Sequence, residues 1–337
     1  MRASQARSET GVPDWARTAL ESVLERAAVT SAQAADRFPL FADPCTGWWT
    51  TTGRGAWTGG FWAGLLWLRA RHTGDVGDRE AAVRCTDRLA YWVDADTATR
   101  GLILWYGAAL ADIPEAAVLR DRAAHACRHA YDGELGLVPW GSAFGGPRLL
   151  ARVDGVPGMV PLLATVDERA AESHLRHHLE LCLDKDAIGW SWRYERPEGW
   201  TPCDDPPHGW SRGRAWLLLA VADAVHRLEA DDLKDAIRHL AGAHAVPLAD
   251  EGHPESPPDT SAAAITAVAL LKLGHRGRAT ALLDKLVHAH LSADGRLLNG
   301  CYDLASGTAT RHELIWGDFF LAYALAALTG LVSPHEA

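Results

Sequence analysis

The stretch Trp57-Thr58-Gly59-Gly60-Phe61-Trp62-Ala63-Gly64-Leu65-Leu66-Trp67-Leu68-Arg69-Ala70-Arg71 sets large apolar side chains at 57, 61, 65 and 68. Steps of three and four are the period of one helix face. The same period recurs along the chain, with Ile265, Val268 and Leu271 as a second clear instance. It predicts about twelve helices, near 14–34, 57–73, 77–94, 101–111, 113–131, 155–167, 169–184, 211–229, 231–246, 260–274, 276–292 and 316–330. Asp259-Thr260-Ser261 reads as a helix cap and Gly274 as a helix stop. Strand patterns are scarce, with short ones expected near 188–195 and 296–303. Twelve helices make six hairpins of roughly 50 residues each, which can form an open solenoid or close into a ring. No crisp repeat supports a solenoid of tetratricopeptide type. The expected fold is therefore all-α, an (α/α)6 barrel of six inner and six outer helices in one domain, 1–337. The Trp- and Gly-rich breaks at 45–60, 186–211 and 296–318 are expected at one rim.

Composition narrows the function. The 337 residues carry a net charge of −10, which argues against a nucleic-acid partner. No apolar run approaches the roughly 18 residues that span a bilayer, so no membrane partner is expected. The six cysteines, at 45, 85, 127, 182, 203 and 301, form no CxxC pair. Met1 to Asp14 is polar and has no apolar core of a signal peptide. Both features point to reduced thiols in a cytoplasm. Fifteen Trp stand against six Phe and six Tyr. Such an excess fits flat amphipathic platforms for sugar rings, or packing between large helices. No HExxH or P-loop is present, and His177-His178 reads as a solvated helix face rather than a metal site.

Five segments carry the chemistry. In Gly55–Gly64, Trp57 opens its helix where it can stack on a sugar, while the small residues and Trp62 equally fit a tight helix–helix contact. In Arg152-Val153-Asp154-Gly155-Val156-Pro157-Gly158-Met159, Asp154 stands at a helix start, where a carboxylate is also an ordinary cap. In Gly209–Trp216, Arg212 and Trp216 lie four apart on one helix face. Together they suit a sugar that bears a carboxylate, the guanidinium taking the acid and the indole the ring; the alternative is a buried cation–π pair. Asp259 and Asp318, in Pro258–Ile265 and Glu313–Phe320, read as helix caps.

In this order the five segments, with WTGGFWAGLLWLRARHTGD, VDGVPGMVPLL, WSRGRAW, DTSAAAI and ELIWGDFFLAYAL as their strongest pieces, resemble the unsaturated glucuronyl and unsaturated rhamnogalacturonyl hydrolases, glycoside hydrolase families 88 and 105, over about 38–331. The resemblance implies the (α/α)6 barrel already expected from the helix count. It also implies no cofactor or metal and a small, anionic carbohydrate as substrate. Asp154 matches the family's principal catalytic aspartate, and Trp57, Arg212 and Trp216 match residues lining the sugar subsite. Such enzymes protonate C4 of a C4=C5 unsaturated uronic acid and add water at C5; the hemiketal then opens and releases the aglycone.

Three stretches depart from the family. Thr99-Arg100-Gly101 sets Arg100 where a carboxylate is expected beside Asp154, an arrangement that would disfavour a protonated Asp154. Gly189-Trp190-Ser191-Trp192-Arg193 replaces a family histidine, and Thr201–Asp205 replaces a Gln-Gly segment. Arg100, Trp105, Trp190 and Trp192 are thereby expected to line the pocket and to favour a flat acidic ligand. Asp43, Asp204, Asp205 and Asp318 are the candidate carboxylate partners of Asp154. Two other functions stay open: an enzyme of specialised metabolism acting on another sugar-derived enol ether, and a carbohydrate-binding protein without catalysis. A monomer and a homodimer are both compatible with the sequence.

Overall fold

The computed structural model describes residues 11–183, 189–228, 230–242 and 245–337. Its helices are α1 (Asp14–Ala34), α2 (Gly59–Thr73), α3 (Val76–Arg88), α4 (Pro114–Ala130), α5 (Met159–Ala164), α6 (Glu168–Cys182), α7 (Ser211–Arg227), α8 (Lys234–Leu240), α9 (Thr260–Lys272), α10 (Arg276–His290) and α11 (Ile315–Thr329), with a π-helical segment at Gly101–Trp105. α2, the π segment, α5, α7, α9 and α11 each pack on the next, and α11 packs back on α2. These six make a closed inner ring. α1, α3, α4, α6, α8 and α10 pack against it from outside. The expected (α/α)6 barrel is present, with two inner positions shortened.

The shortening has a steric cause. A Cβ on Gly60 of α2 would come within 2.3 Å of the Ile103 carbonyl oxygen, and one on Gly101 within 2.1 Å of the Met159 nitrogen. The ring thus closes there backbone against backbone, which only glycine permits. Gly158, with φ of +70°, lies against Gly101 and delays α5 to Met159, so the helix expected at 155–167 is cut to one short piece. The expected 77–94 helix also ends early, at Arg88, and continues as a 3-10 turn over Leu89–Trp92. The helix expected at 231–246 becomes a 3-10 turn followed by α8, and positions 243–244, like 184, lie outside the described residues.

Inside the ring an aromatic plug forms. Phe61 meets Tyr106, Trp216, Phe319 and Phe320 at centroid distances of 5.3–6.1 Å. Each such pair adds about 0.5–1.5 kcal/mol beyond the area it buries.

Connections are unequal at the two ends. Helix α2 reaches α3 through Gly74 and Asp75 alone, whereas α4 reaches α5, and α6 reaches α7, through long segments that carry strands. Strands β1 (Phe38–Ala42), β2 (Trp49–Thr52) and β6 (Glu313–Leu314) form one sheet in the order β2-β1-β6. Strands β3 (Leu150–Arg152), β4 (Ser191–Glu195) and β5 (Gly199–Pro202) form the other, in the order β3-β4-β5. β4 is the strand expected near 188–195, apart from 188 itself, which lies outside the described residues. The strand expected near 296–303 is replaced by isolated bridges such as Gly300 to His312. The sheets tie neighbouring long connections together at the end where the inner helices begin.

Candidate active site

A cleft of about 890 Å³ opens at that end. Trp57 precedes α2, Thr99 precedes the π segment, Arg152 and Asp154 precede α5, and Trp210 precedes α7. Ala249 lies ahead of α9, and Cys301 to Ser306 ahead of α11. The connections that lead into all six inner positions therefore line one volume. Trp57, Trp140, Phe144, Trp210 and Tyr302 supply aromatic faces.

Asp154 sits on a 3-10 turn, Val153–Gly155, at the end of β3. It caps no helix. Its Oδ2 accepts from Arg152 Nε at 2.8 Å, and its side chain is 13% exposed toward the cleft. Arg152 Nη1 also stands 3.7 Å from Asp205, which is 77% exposed. Burial alone would lower the pKa of the Arg152 guanidinium, but Asp154 and Asp205 outweigh it and raise it. Of the four candidate carboxylate partners, Asp205 lines the cleft and shares this arginine. Asp43 instead holds a surface turn through Cys45 and Thr46. Asp318 is buried against Glu313 and accepts from the Leu297 amide at 3.2 Å.

Behind the Asp154 turn lies His174 of α6. Its Nδ1 accepts from the Val138 amide at 3.1 Å, so Nε2 carries the hydrogen that meets the Gly155 carbonyl at 3.2 Å. Burial holds its pKa well below the usual histidine value, and His178 beside it lowers it further. A neutral imidazole thus braces the turn. His178 is buried and not a solvated residue, because α6 turns it inward with His174. Among the described residues no cluster of three metal-binding side chains occurs.

The expected site residues divide. Trp57 lines the cleft, at 4.9 Å from Trp316 and stacked on Tyr302 at 6.5 Å. Arg212 borders it, but Nη1 binds Asp259 at 2.5 Å and the Cys301 carbonyl at 2.6 Å, while Nη2 binds the Tyr302 carbonyl at 2.9 Å. Its guanidinium holds the loop before α11. Trp216 does not reach the cleft: it is wholly buried in the aromatic plug.

Arg100 is a correction by one residue. Thr99 faces the cleft, whereas Arg100 turns outward, donates to the Thr97 and Val93 carbonyls and lines a separate polar cavity with Asp94, Asp96 and His129. Arg100 therefore sets no charge beside Asp154; the arginine that does is Arg152. Trp105 lies at the other end of the π segment, under Arg227 at 4.5 Å. Trp190 and Trp192 are nearly buried and bind the His208 and Gly189 carbonyls. Between them Ser191 lines the cleft, as side-chain alternation along a strand requires. Trp140, Arg152, Ser191 and Tyr302 had no place in the expected site, whereas Trp210 falls in a break expected at the rim. The signal for Arg152 was its position two residues before Asp154 in the same segment.

Fold and cleft define a class: an (α/α)6 barrel with an aromatic, carboxylate-bearing cleft at one rim, the frame of a glycoside hydrolase-like enzyme. The particular likeness is to unsaturated glucuronyl hydrolases. The curated enzyme of that name from Bacillus sp. strain GL1 is 26% identical over 347 aligned positions, 87% of this chain and 91% of that one. Its crystal structure superposes with a TM-score of 0.82 over 93% of this chain and 96% of its own, at 24% identity. The enzyme from Streptococcus agalactiae superposes with the same score over 98% of each chain at 16% identity. No family model matches the chain. The chain is a divergent relative of these enzymes.

No helix among the described residues is long and apolar enough to cross a membrane.

Proposed function

We propose that the chain hydrolyses oligosaccharides ending in a C4=C5 unsaturated uronic acid. The observation that carries this is Asp154: a carboxylate, partly exposed, that lines a sugar-sized aromatic cleft. The Streptococcus agalactiae relative has been crystallised with dGlcA-GalNAc6S, an unsaturated disaccharide, which supports the substrate class.

The sugar ring lies against Trp57 and the neighbouring aromatic faces. Asp154 enters as the acid with Oδ2 accepting from Arg152 Nε and the proton on Oδ1, and gives that proton to C4 of the enol ether, leaving an oxocarbenium at C5. The resulting carboxylate takes a proton from water as the oxygen bonds to C5, so one group serves as acid and then as base. The C5 hemiketal opens by breaking its bond to the ring oxygen, which leaves a ketone at C5 and a hemiacetal at C1. Collapse of that hemiacetal expels the aglycone as an alcohol. No residue attacks the glycosidic bond, so the spacing of two carboxylates that separates ordinary retaining and inverting glycosidases does not apply. The six free cysteines support a cytoplasmic site of action, and the chain is taken as one catalytic domain acting as a monomer or homodimer.

Incubation with an unsaturated uronic disaccharide should abolish its ultraviolet absorbance, and Asp154→Asn should lose at least about 100-fold in kcat, the lower range for a general acid–base group. Turnover by the Asn variant at the wild-type rate would refute the assignment.

A further inference from the structure

Two described arginines line the cleft, and the one that sequence favoured for the substrate is already bound through both Nη groups to Asp259 and two carbonyls. The other is built differently. Arg152 ends strand β3, paired with Ser191 of β4. Its guanidinium lies 5.5 Å from the Trp140 ring and 6.0 Å from the Trp210 ring. Nε is held by Asp154, which fixes the plane of the fork. The Nη edge faces the cleft, where its partner is Asp205, 3.7 Å away on an exposed loop. That pair is loose, surrounded by solvent and worth little. Ser191 Oγ, buried and lining the same cleft, has no hydrogen-bond partner among the described residues, and a buried unpaired hydroxyl is costly unless a ligand satisfies it.

We propose that Arg152, with Ser191, is the anion-recognising and specificity-determining element of the cleft, and that Asp205 occupies in the free protein the place on its guanidinium that the substrate carboxylate takes. This rests on the uronide-hydrolase function proposed above. A planar carboxylate matches the Nη edge in a way that a neutral ester cannot. The two indoles lie near the fork and Asp154 holds its Nε, so little side-chain freedom is lost on binding. Because Nε holds Asp154, the same arginine sets the reacting sugar at a fixed place relative to the acid.

The test is binding of an unsaturated uronic disaccharide and of its methyl ester, followed by tryptophan emission in Asp154→Asn protein so that no turnover interferes. The acid should bind about 10- to 100-fold more tightly than the ester, the value of a charge-assisted hydrogen-bond set. Adding Arg152→Gln should bring the two ligands within about twofold, and Arg152→Lys should restore part of the preference. Adding Asp205→Asn should instead tighten acid binding several-fold, since it removes the internal competitor, a gain that a merely structural role for Arg152 would not produce. A preference that survives in Arg152→Gln, equal binding of acid and ester by the starting protein, or weaker acid binding in Asp205→Asn would overturn the proposal. If wild-type protein leaves the disaccharide intact while the acid preference and its dependence on Arg152 hold, the hydrolase function fails and the recognition element stands.

Discussion

Replacing Arg212 by Ala separates a structural arginine from a ligand-binding one. Arg212 is 6% exposed and its partner Asp259 is fully buried. Asp259 also takes the Ser261 amide and hydroxyl, which caps α9. Removal of the guanidinium leaves a buried carboxylate without its cation, a change that costs about 3–5 kcal/mol. It also releases the Cys301 and Tyr302 carbonyls and the contacts to the Trp210 and Trp316 rings, 5.0 and 5.5 Å away. These losses share one side chain and do not simply add. At about 2–4 °C per kcal/mol in chains of this order of size, the melting temperature should fall by roughly 10 °C. Thermal denaturation followed by circular dichroism reads this directly. Asp259→Asn placed in the Arg212→Ala background should recover part of the loss, because it removes the orphaned charge. A variant that melts like wild type and loses affinity only for carboxylate-bearing ligands would refute the assignment and return Arg212 to the substrate.

Two further outcomes follow from groups away from the cleft. Burial, with the Glu313 charge beside it, pushes the Asp318 carboxyl well above its usual range. A carboxyl raised on folding stabilises the protein below its unfolded value near pH 4, and that contribution is lost as pH rises through the folded value. Asp318→Asn should therefore melt near wild type at pH 4 and above it at pH 8; an equal difference at both pH values would sink the idea. Gly101→Ala should cost about 3 kcal/mol, the upper range for overpacking, since its Cβ would strike the Met159 nitrogen and Gly158 backbone. Gly133→Ala, with open space around it, is the control, and equal melting of the two would refute the packing argument.

The barrel was legible because helical period survives burial. Inner helices such as α9 and α11 are apolar almost throughout, yet capping and stop residues, Asp259 and Gly274, still mark their ends. What escaped was local and steric. The sequence shows Gly101 and Gly158 as punctuation, but not that two backbones meet there and cut α5 to Met159–Ala164. The site residues were legible by segment and not by orientation. The segment around Arg100 does reach the cleft, through Thr99, and the segment around Trp190 and Trp192 does so through Ser191. In each case an error of one residue put a large, conspicuous side chain in place of a small one, because bulk and charge draw attention in a sequence while the fold requires most of the bulk for packing.

The Trp excess shows the same division of labour. Trp67, Trp216 and Trp316 are fully buried, whereas Trp57, Trp140 and Trp210 line the cleft. One residue type therefore fills the barrel and faces the ligand, and the difference lies in position relative to the start of an inner helix. Trp57 and Trp210 stand just before α2 and α7, and Trp216, one and a half turns into α7, is already in the plug. The same rule governs charge. The net −10 of the chain would repel an acidic sugar, yet at this rim Arg152 supplies local positive potential. Arg212 contributes the frame for that potential by fixing the loop that carries Tyr302. Binding strength for a uronide should then follow the Nη edge of one arginine, and the stability of the cleft should follow the other.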